Sequence, residues 1–136
     1  MPPSDMPAKN VRLEKLLSSA EVRALNKADK LTLLVFILHS HDPEAFKKLD
    51  NLTWPTGQAI LLASKREQIE KTNISAQIKE VPKSPYFIDT GHDNAAMQRL
   101  IELMMRSLGY EAGLINRTKR LFEVAQRNRL GEYFGV

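Results

Sequence analysis

The chain has 136 residues, of which 43% are hydrophobic, and a formal net charge of +4. This length is typical of one domain with its own core, and the lack of cysteine excludes disulfides, thiolate catalysis and cysteine-ligated metal sites. The first ten residues contain no apolar run of the kind a signal peptide needs, and no stretch is long enough for a membrane-spanning helix. We therefore expect a cytoplasmic protein that does not bind a membrane.

The segment from Asp29 to Ser40, DKLTLLVFILHS, is the organising element of the chain. It contains seven large apolar side chains, so neither a helix nor a strand built from it would have a polar face, and it must be buried on nearly all sides. We predict a mainly α protein, a compact helical bundle around a buried central helix at 29–40. The predicted domain organisation is a flexible arm over 1–10, a single helical domain over 11–130 and a tail over 131–136.

Local signals place further helices on both sides of this element. Apolar spacing from Val11 predicts a helix that ends near Ser18, where an S-x-x-E pattern then caps a second helix. Asp42 followed by proline marks a helix start after the central element. A helix over 57–71 follows, capped by Thr56, and its buried side consists of Ala59, Ile60, Leu62, Ala63 and Ile69.

The least helical region runs from Asn73 to Gly91. Ile74, Ala76 and Ile78 alternate with polar residues, as in a half-buried strand. We predict one extended or single-strand segment near 74–88. A lone strand is unstable, so this segment either pairs with its copy in a second subunit or lies as a strap over the helices.

Two helices follow, the first from about Asp93 to Leu108 with Gly109 as its C′ residue, and the second over about 114–128. On a helical wheel, the apolar residues of the second helix share one arc and most of its polar and cationic residues fall on the other. Residues 106–129 hold six cationic and two acidic side chains, a surplus of four charges. The predicted nucleic-acid-binding residues are Arg117, Lys119, Arg120, Arg127, Asn116 and Arg106.

A helical pair whose second helix is basic is typical of helix-turn-helix proteins that insert into a DNA groove. We interpret the protein as a DNA-binding, transcription-regulating homodimer that applies its basic C-terminal helix to phosphates and works alone or with a second protein subunit. Two alternatives stay open: an ordinary helical hairpin with a solvated basic face, and an adaptor or assembly module that binds no nucleic acid.

Histidine and aspartate residues are the only candidates for metal or acid–base chemistry. His39, His41 and Asp42 cluster in sequence, as do His92 and Asp93. Positions i and i+2 on a helix diverge by about 200°, so His39 and His41 would not converge, and helix-end and capping roles explain these residues better. We expect no enzymatic activity, no cofactor and no metal.

The stretch from Leu25 to Ala63 resembles a known family. It combines a Leu/Val-rich helix with Ala45, Phe46 and Leu49, then an L-T-x-P turn and a helix bearing Ile60 and Leu61. This pattern is similar to the FlhD family, the small subunits of flagellar-type transcription activators. The resemblance implies an all-α, dimeric DNA-binding subunit that acts with a partner subunit and RNA polymerase. It assigns no functional residue.

Overall fold

A computed structural model describes residues 5–122, with side chains from Arg12 onward. The chain divides into two compact units, Met1–Gly91 and His92–Val136. The domain bounds expected from the sequence stay a prediction. The helices are α1 Asp5–Ser18, α2 Ala20–Arg23, α3 Lys27–His41, α4 Pro43–Phe46, α5 Arg66–Thr72, α6 Asn94–Ser107 and α7 Ala112–Lys119, with 3₁₀ turns at Lys47–Leu49 and Arg120–Phe122. The strands are β1 Leu52–Thr53, β2 Ile60–Ala63, β3 Ile78–Glu80 and β4 Phe87–Asp89.

The first helix begins at Asp5, earlier than the expected start near Val11, and it buries Leu13, Leu16 and Leu17. The next cap lies one residue beyond the predicted position. Ser19 Oγ accepts the amide hydrogen of Val22 at 3.2 Å, whereas the Ser18 hydroxyl donates back to the Glu14 carbonyl. The capping motif was therefore a correct sign of a helix start, but Ser19 provides the cap.

The central apolar segment forms α3, as predicted. Its Leu31, Leu34 and Val35 side chains are fully buried, and Leu33 and Phe36 are half-buried. Asn26 caps the helix by accepting the Asp29 amide hydrogen at 2.8 Å. This helix packs against α1, α4 and β3 within the N-terminal unit, which confirms that it is a central buried element.

The expected all-helical bundle is wrong, because the N-terminal unit contains a four-stranded antiparallel sheet of order β1-β2-β4-β3. Leu62 lies opposite Leu52 of β1 on one side and Ile88 of β4 on the other. Lys79 of β3 pairs with Ile88 from the far side of β4. The protein is therefore an α/β structure in which β2 and β4 form the centre of the sheet.

The helix predicted over 57–71 is a strand followed by a helix. Four consecutive apolar residues from Ile60 to Ala63 form β2, and only residues from Arg66 onward are helical. Leu61, Leu62 and Ala63 are all buried, so both faces of this strand are covered. A continuous apolar run is compatible with such a strand and with a buried helix. The run is a strand in the folded protein because it pairs with β1 and β4.

The segment near 74–88 is not a lone strand that needs a second subunit for pairing. It contributes two strands, β3 and β4, that pair with each other within the chain. Asp89, at the end of β4, is buried and its Oδ1 accepts the backbone amide hydrogens of Gln77 and Gly91 at 3.0 and 2.9 Å. The Thr90 amide and hydroxyl both donate to the Gln77 carbonyl at 2.8 Å. These bonds fasten the turn before β3 to the end of β4.

The C-terminal unit contains α6 and α7, which pack against each other. Of the two caps that the sequence allows, Thr90 and Asp93, it is Asp93 that caps α6 by accepting the Ala96 amide hydrogen at 2.8 Å. Gly109 ends the helix with a φ of 86°, in the left-handed region that favours glycine. The second helix runs only to Lys119 before a 3₁₀ turn, and the rest of the helix predicted to residue 128 lies outside the described residues.

Candidate nucleic-acid interface

The exposed face of α7 carries the predicted polar and cationic side chains. Leu114, Ile115 and Thr118 are buried, whereas Asn116 and Arg117 on the same helix are exposed. Arg120, at the start of the following 3₁₀ turn, is exposed as well. The helical period thus sorts this segment into a buried apolar side and an exposed side that two guanidinium groups and one amide share.

Thr118 is the polar residue among the buried positions of α7, and its hydroxyl needs a hydrogen-bond partner. Its side chain is fully buried, and its hydroxyl donates to the Leu114 carbonyl at 2.8 Å, one helical turn back. The polar atom is thereby paired inside the helix, and the methyl group remains for apolar packing. Threonine therefore fits a position where the sequence pattern favours an apolar residue.

Two of the predicted cations are paired with one carboxylate on α6. Glu102 Oε2 accepts from Arg106 Nη2 at 2.6 Å, and Glu102 Oε1 accepts from Lys119 Nζ at 2.8 Å. These hydrogen bonds, first that of Lys119 and then that of Arg106, hold the pKa of the Glu102 carboxyl below its ordinary value. The carboxylate is therefore ionised near neutral pH and offsets one of the two positive charges.

This pairing reduces the charge surplus inferred from the sequence. Between residues 106 and 122 there are four cationic side chains and one acidic, a surplus of three, and including Glu102 lowers it to two. The Glu102–Arg106 spacing of four residues is visible in the sequence, but the contact between Glu102 and Lys119 requires the packing of α6 on α7. Arg127, the remaining predicted contact, lies outside the described residues.

The histidine and aspartate residues considered for metal binding have structural partners. His39 lies edge-on to Phe46 and Tyr86, with ring centroids 5.3 and 5.6 Å apart, and burial lowers its pKa. Asp42 caps α4 by accepting the Ala45 amide hydrogen at 3.0 Å. Among the residues that the structure describes, no group of three or more histidine or acidic side chains is arranged to hold a metal ion.

A second exposed polar surface is the turn that joins β1 to β2, which sequence reasoning did not single out. Thr56, Gly57 and Gln58 are exposed there, and the Gly57 amide donates to the Trp54 carbonyl at 3.1 Å. Polar side chains on an exposed turn between paired strands are held by a rigid support. No local motif marks these residues, because the turn exists only where β1 and β2 form adjacent strands.

Comparison with known proteins identifies the class to which this α/β domain with an exposed cationic helix belongs. Residues 11–121 match the SeqA protein C-terminal domain family. The chain belongs to that family, since the match spans most of its length.

Two known proteins are similar to the chain. The chain is 24% identical over 106 residues to a Vibrio atlanticus (strain LGP32) protein named negative modulator of initiation of replication. That alignment covers 77% of this chain and 58% of the relative's length. The crystal structure of V. cholerae SeqA has the same fold, with a TM-score of 0.73 at 20% identity over 85% of this chain and 99% of that chain.

The family match overturns the resemblance to the FlhD family, which covered only residues 25–63 and rested on apolar spacing. Its implied all-α fold is also wrong, because the stretch contains β1 and β2. The comparisons do not support the helix-turn-helix and transcription assignments, since the matched family is that of SeqA and the relative's name refers to initiation of replication. In the described range 5–122, no helix has the length and apolar character needed to cross a membrane.

Proposed function

We propose that this chain is a DNA-binding regulator of replication initiation, a binding protein and not an enzyme. The observation that carries the proposal is the match of residues 11–121 to the SeqA C-terminal domain family, together with a relative named negative modulator of initiation of replication. We propose hemimethylated GATC duplexes as its preferred ligand. Because the chain spans 58% of its curated relative, this proposal concerns DNA recognition first and the regulatory role second.

The exposed face of α7 supports a contribution to phosphate binding. Arg117 and Arg120 are exposed on the same segment as Asn116, and guanidinium groups bind phosphate oxygens through paired hydrogen bonds. Phosphate contacts position a protein on DNA, whereas contacts with base edges determine sequence. We therefore assign affinity, and not the reading of methylation state, to these two arginines.

Fluorescence anisotropy with labelled duplexes tests the proposal. Hemimethylated, fully methylated and unmethylated GATC duplexes should rank in that order or with the hemimethylated duplex clearly first. Affinity should fall with salt, by a log–log slope of about 0.9 for each phosphate neutralised. Absence of binding to all three duplexes at 50 mM salt would refute DNA binding.

A double variant, Arg117→Ala with Arg120→Ala, tests the contribution of α7. It should weaken binding to every duplex and reduce the salt slope by about 1.8. The control is Lys79→Ala with Lys83→Ala, which removes two exposed cations from the N-terminal unit and makes the same change in net charge. If both double variants bind alike, α7 is not the phosphate-binding surface, and the exposed turn at Thr56–Gln58 becomes the next surface to vary.

The expected homodimer and second protein subunit remain proposals. Sedimentation velocity of the purified chain, with and without a duplex bearing two GATC sites, distinguishes a monomer from a dimer. A single species of monomer mass under both conditions would contradict the dimer.

A further inference from the structure

We propose that Glu102 attenuates DNA binding by holding Lys119 and Arg106 away from phosphate and by repelling the phosphate itself. This inference rests on the proposed DNA-binding function and adds a residue that sets its strength. Glu102 is the only acidic side chain of α6, and it lies between two of the side chains that the sequence predicts to contact DNA.

The geometry shows how one carboxylate occupies two cations. Each oxygen of Glu102 accepts from a different partner, Lys119 Nζ at 2.8 Å and Arg106 Nη2 at 2.6 Å. The Lys119 side chain is 25% exposed, compared with 65% for Arg106. The Lys119 ammonium group is therefore held against α6. Arg117, two residues before Lys119, lies on the exposed side of α7.

The charge balance gives the direction of the effect. The three side chains together carry one net positive charge in place of two. A carboxylate about 6 Å from a bound phosphate weakens binding by about threefold in a solvent-like dielectric. Its replacement by a neutral group also leaves Lys119 and Arg106 available as new phosphate contacts, each of which steepens the salt slope by about 0.9.

Glu102→Gln in the full chain is the test, because the amide has the same shape and cannot carry the charge. Binding to a hemimethylated GATC duplex at 100 mM salt should tighten by at least about threefold, with a steeper salt slope. Adding Lys119→Met to this variant should remove most of the gain. Glu102→Ala, which keeps a strong helix former at the position, should tighten binding in the same way if the amide disturbs packing.

Glu70→Gln is the matched control. Glu70 is also paired with an arginine four residues away, Arg66 at 3.2 Å, but on α5 of the N-terminal unit. It makes the same change in net charge, so an equal gain in both variants would reduce the effect to overall charge and overturn the inference. Unchanged or weaker binding by Glu102→Gln and Glu102→Ala would overturn it as well, since Glu102 would then orient the cations for phosphate.

The attenuating role of Glu102 and the proposed DNA-binding function can be refuted separately. If the wild-type chain binds and the Glu102 variants show no gain, only the attenuating role is wrong. If neither the wild-type chain nor the variants bind any duplex, the proposed function is wrong and this inference is overturned with it. Thermal melting of each variant, compared with wild type, shows whether a change in affinity reflects a change in folding.

Discussion

Removal of the Asp89 carboxylate should loosen the connection between the turn before β3 and the end of β4. Asp89 is 2% exposed, and its Oδ1 accepts from the Gln77 and Gly91 amides at 3.0 and 2.9 Å. Hydrogen bonds to a charged group contribute about 1.5–3 kcal/mol each when buried. Because Gln77 and Gly91 are themselves exposed, we discount the pair and expect Asp89→Ala to cost about 2–3 kcal/mol.

Asp89→Asn separates the charge from the geometry. The amide retains an oxygen for the two backbone donors, at about half the strength of a carboxylate. Its NH₂ group would face the Asn73 amide nitrogen, which lies 3.4 Å from Asp89 Oδ2. Asn73 cannot turn its oxygen toward it without breaking the bonds that this oxygen accepts from Ser75 at 3.1 and 2.9 Å. We expect a cost of about 1–1.5 kcal/mol for Asp89→Asn.

Urea unfolding followed by circular dichroism measures both variants, and the control is Asp42→Ala, which removes an exposed N-cap carboxylate at a cost of about 1 kcal/mol. Hydrogen exchange at the Gln77 and Gly91 amides should accelerate in Asp89→Ala while the exchange of α3 amides changes only with global stability. Equal costs for Asp89→Ala and Asp89→Asn, or a cost of Asp89→Ala no larger than that of Asp42→Ala, would refute the reasoning.

Two further predictions concern the C-terminal unit. Because its cationic partners hold the pKa of Glu102 below the ordinary value of 4.5, its stabilising contribution is present above pH 4.5 and is lost as the pH falls through the folded-state pKa. The free energy of unfolding of wild type should exceed that of Glu102→Gln by less than about 1 kcal/mol at pH 7, since the group is partly exposed. This difference should shrink progressively as the pH is lowered below 4.5; a constant difference would contradict it. Gly109→Ala should lower the free energy of unfolding by about 1–2 kcal/mol, measured by thermal or urea unfolding, because φ is 86°. No atom within 4 Å would contact the new Cβ, so the cost comes from the backbone conformation. Gly109→Asn should cost less, and equal costs would show that conformation is not the cause.

The starts of α4 and α6 and the end of α6 were predictable, because the interactions that define them span only a few residues. Asp42 and Asp93 each accept an amide hydrogen three residues ahead, and Gly109 follows Leu108, the C-cap residue of α6. The burial of α3 was also predictable, because a segment without a polar face has no side that can be left exposed to water. Within α7, the helical period alone separated Leu114 and Thr118 from Asn116 and Arg117.

The sheet and the charge pairing at the candidate interface were decided by the tertiary structure. The Ile60–Ala63 run fits a buried helix or a strand, and it became a strand because Leu62 pairs with Leu52 and Ile88 from two other parts of the chain. The surplus charge counted from residue 106 missed the contact between Glu102 and Lys119, which are 17 residues apart. Capping and helical periodicity depend on neighbours in sequence, whereas strand pairing and ion pairing depend on which distant residues the folded chain brings together.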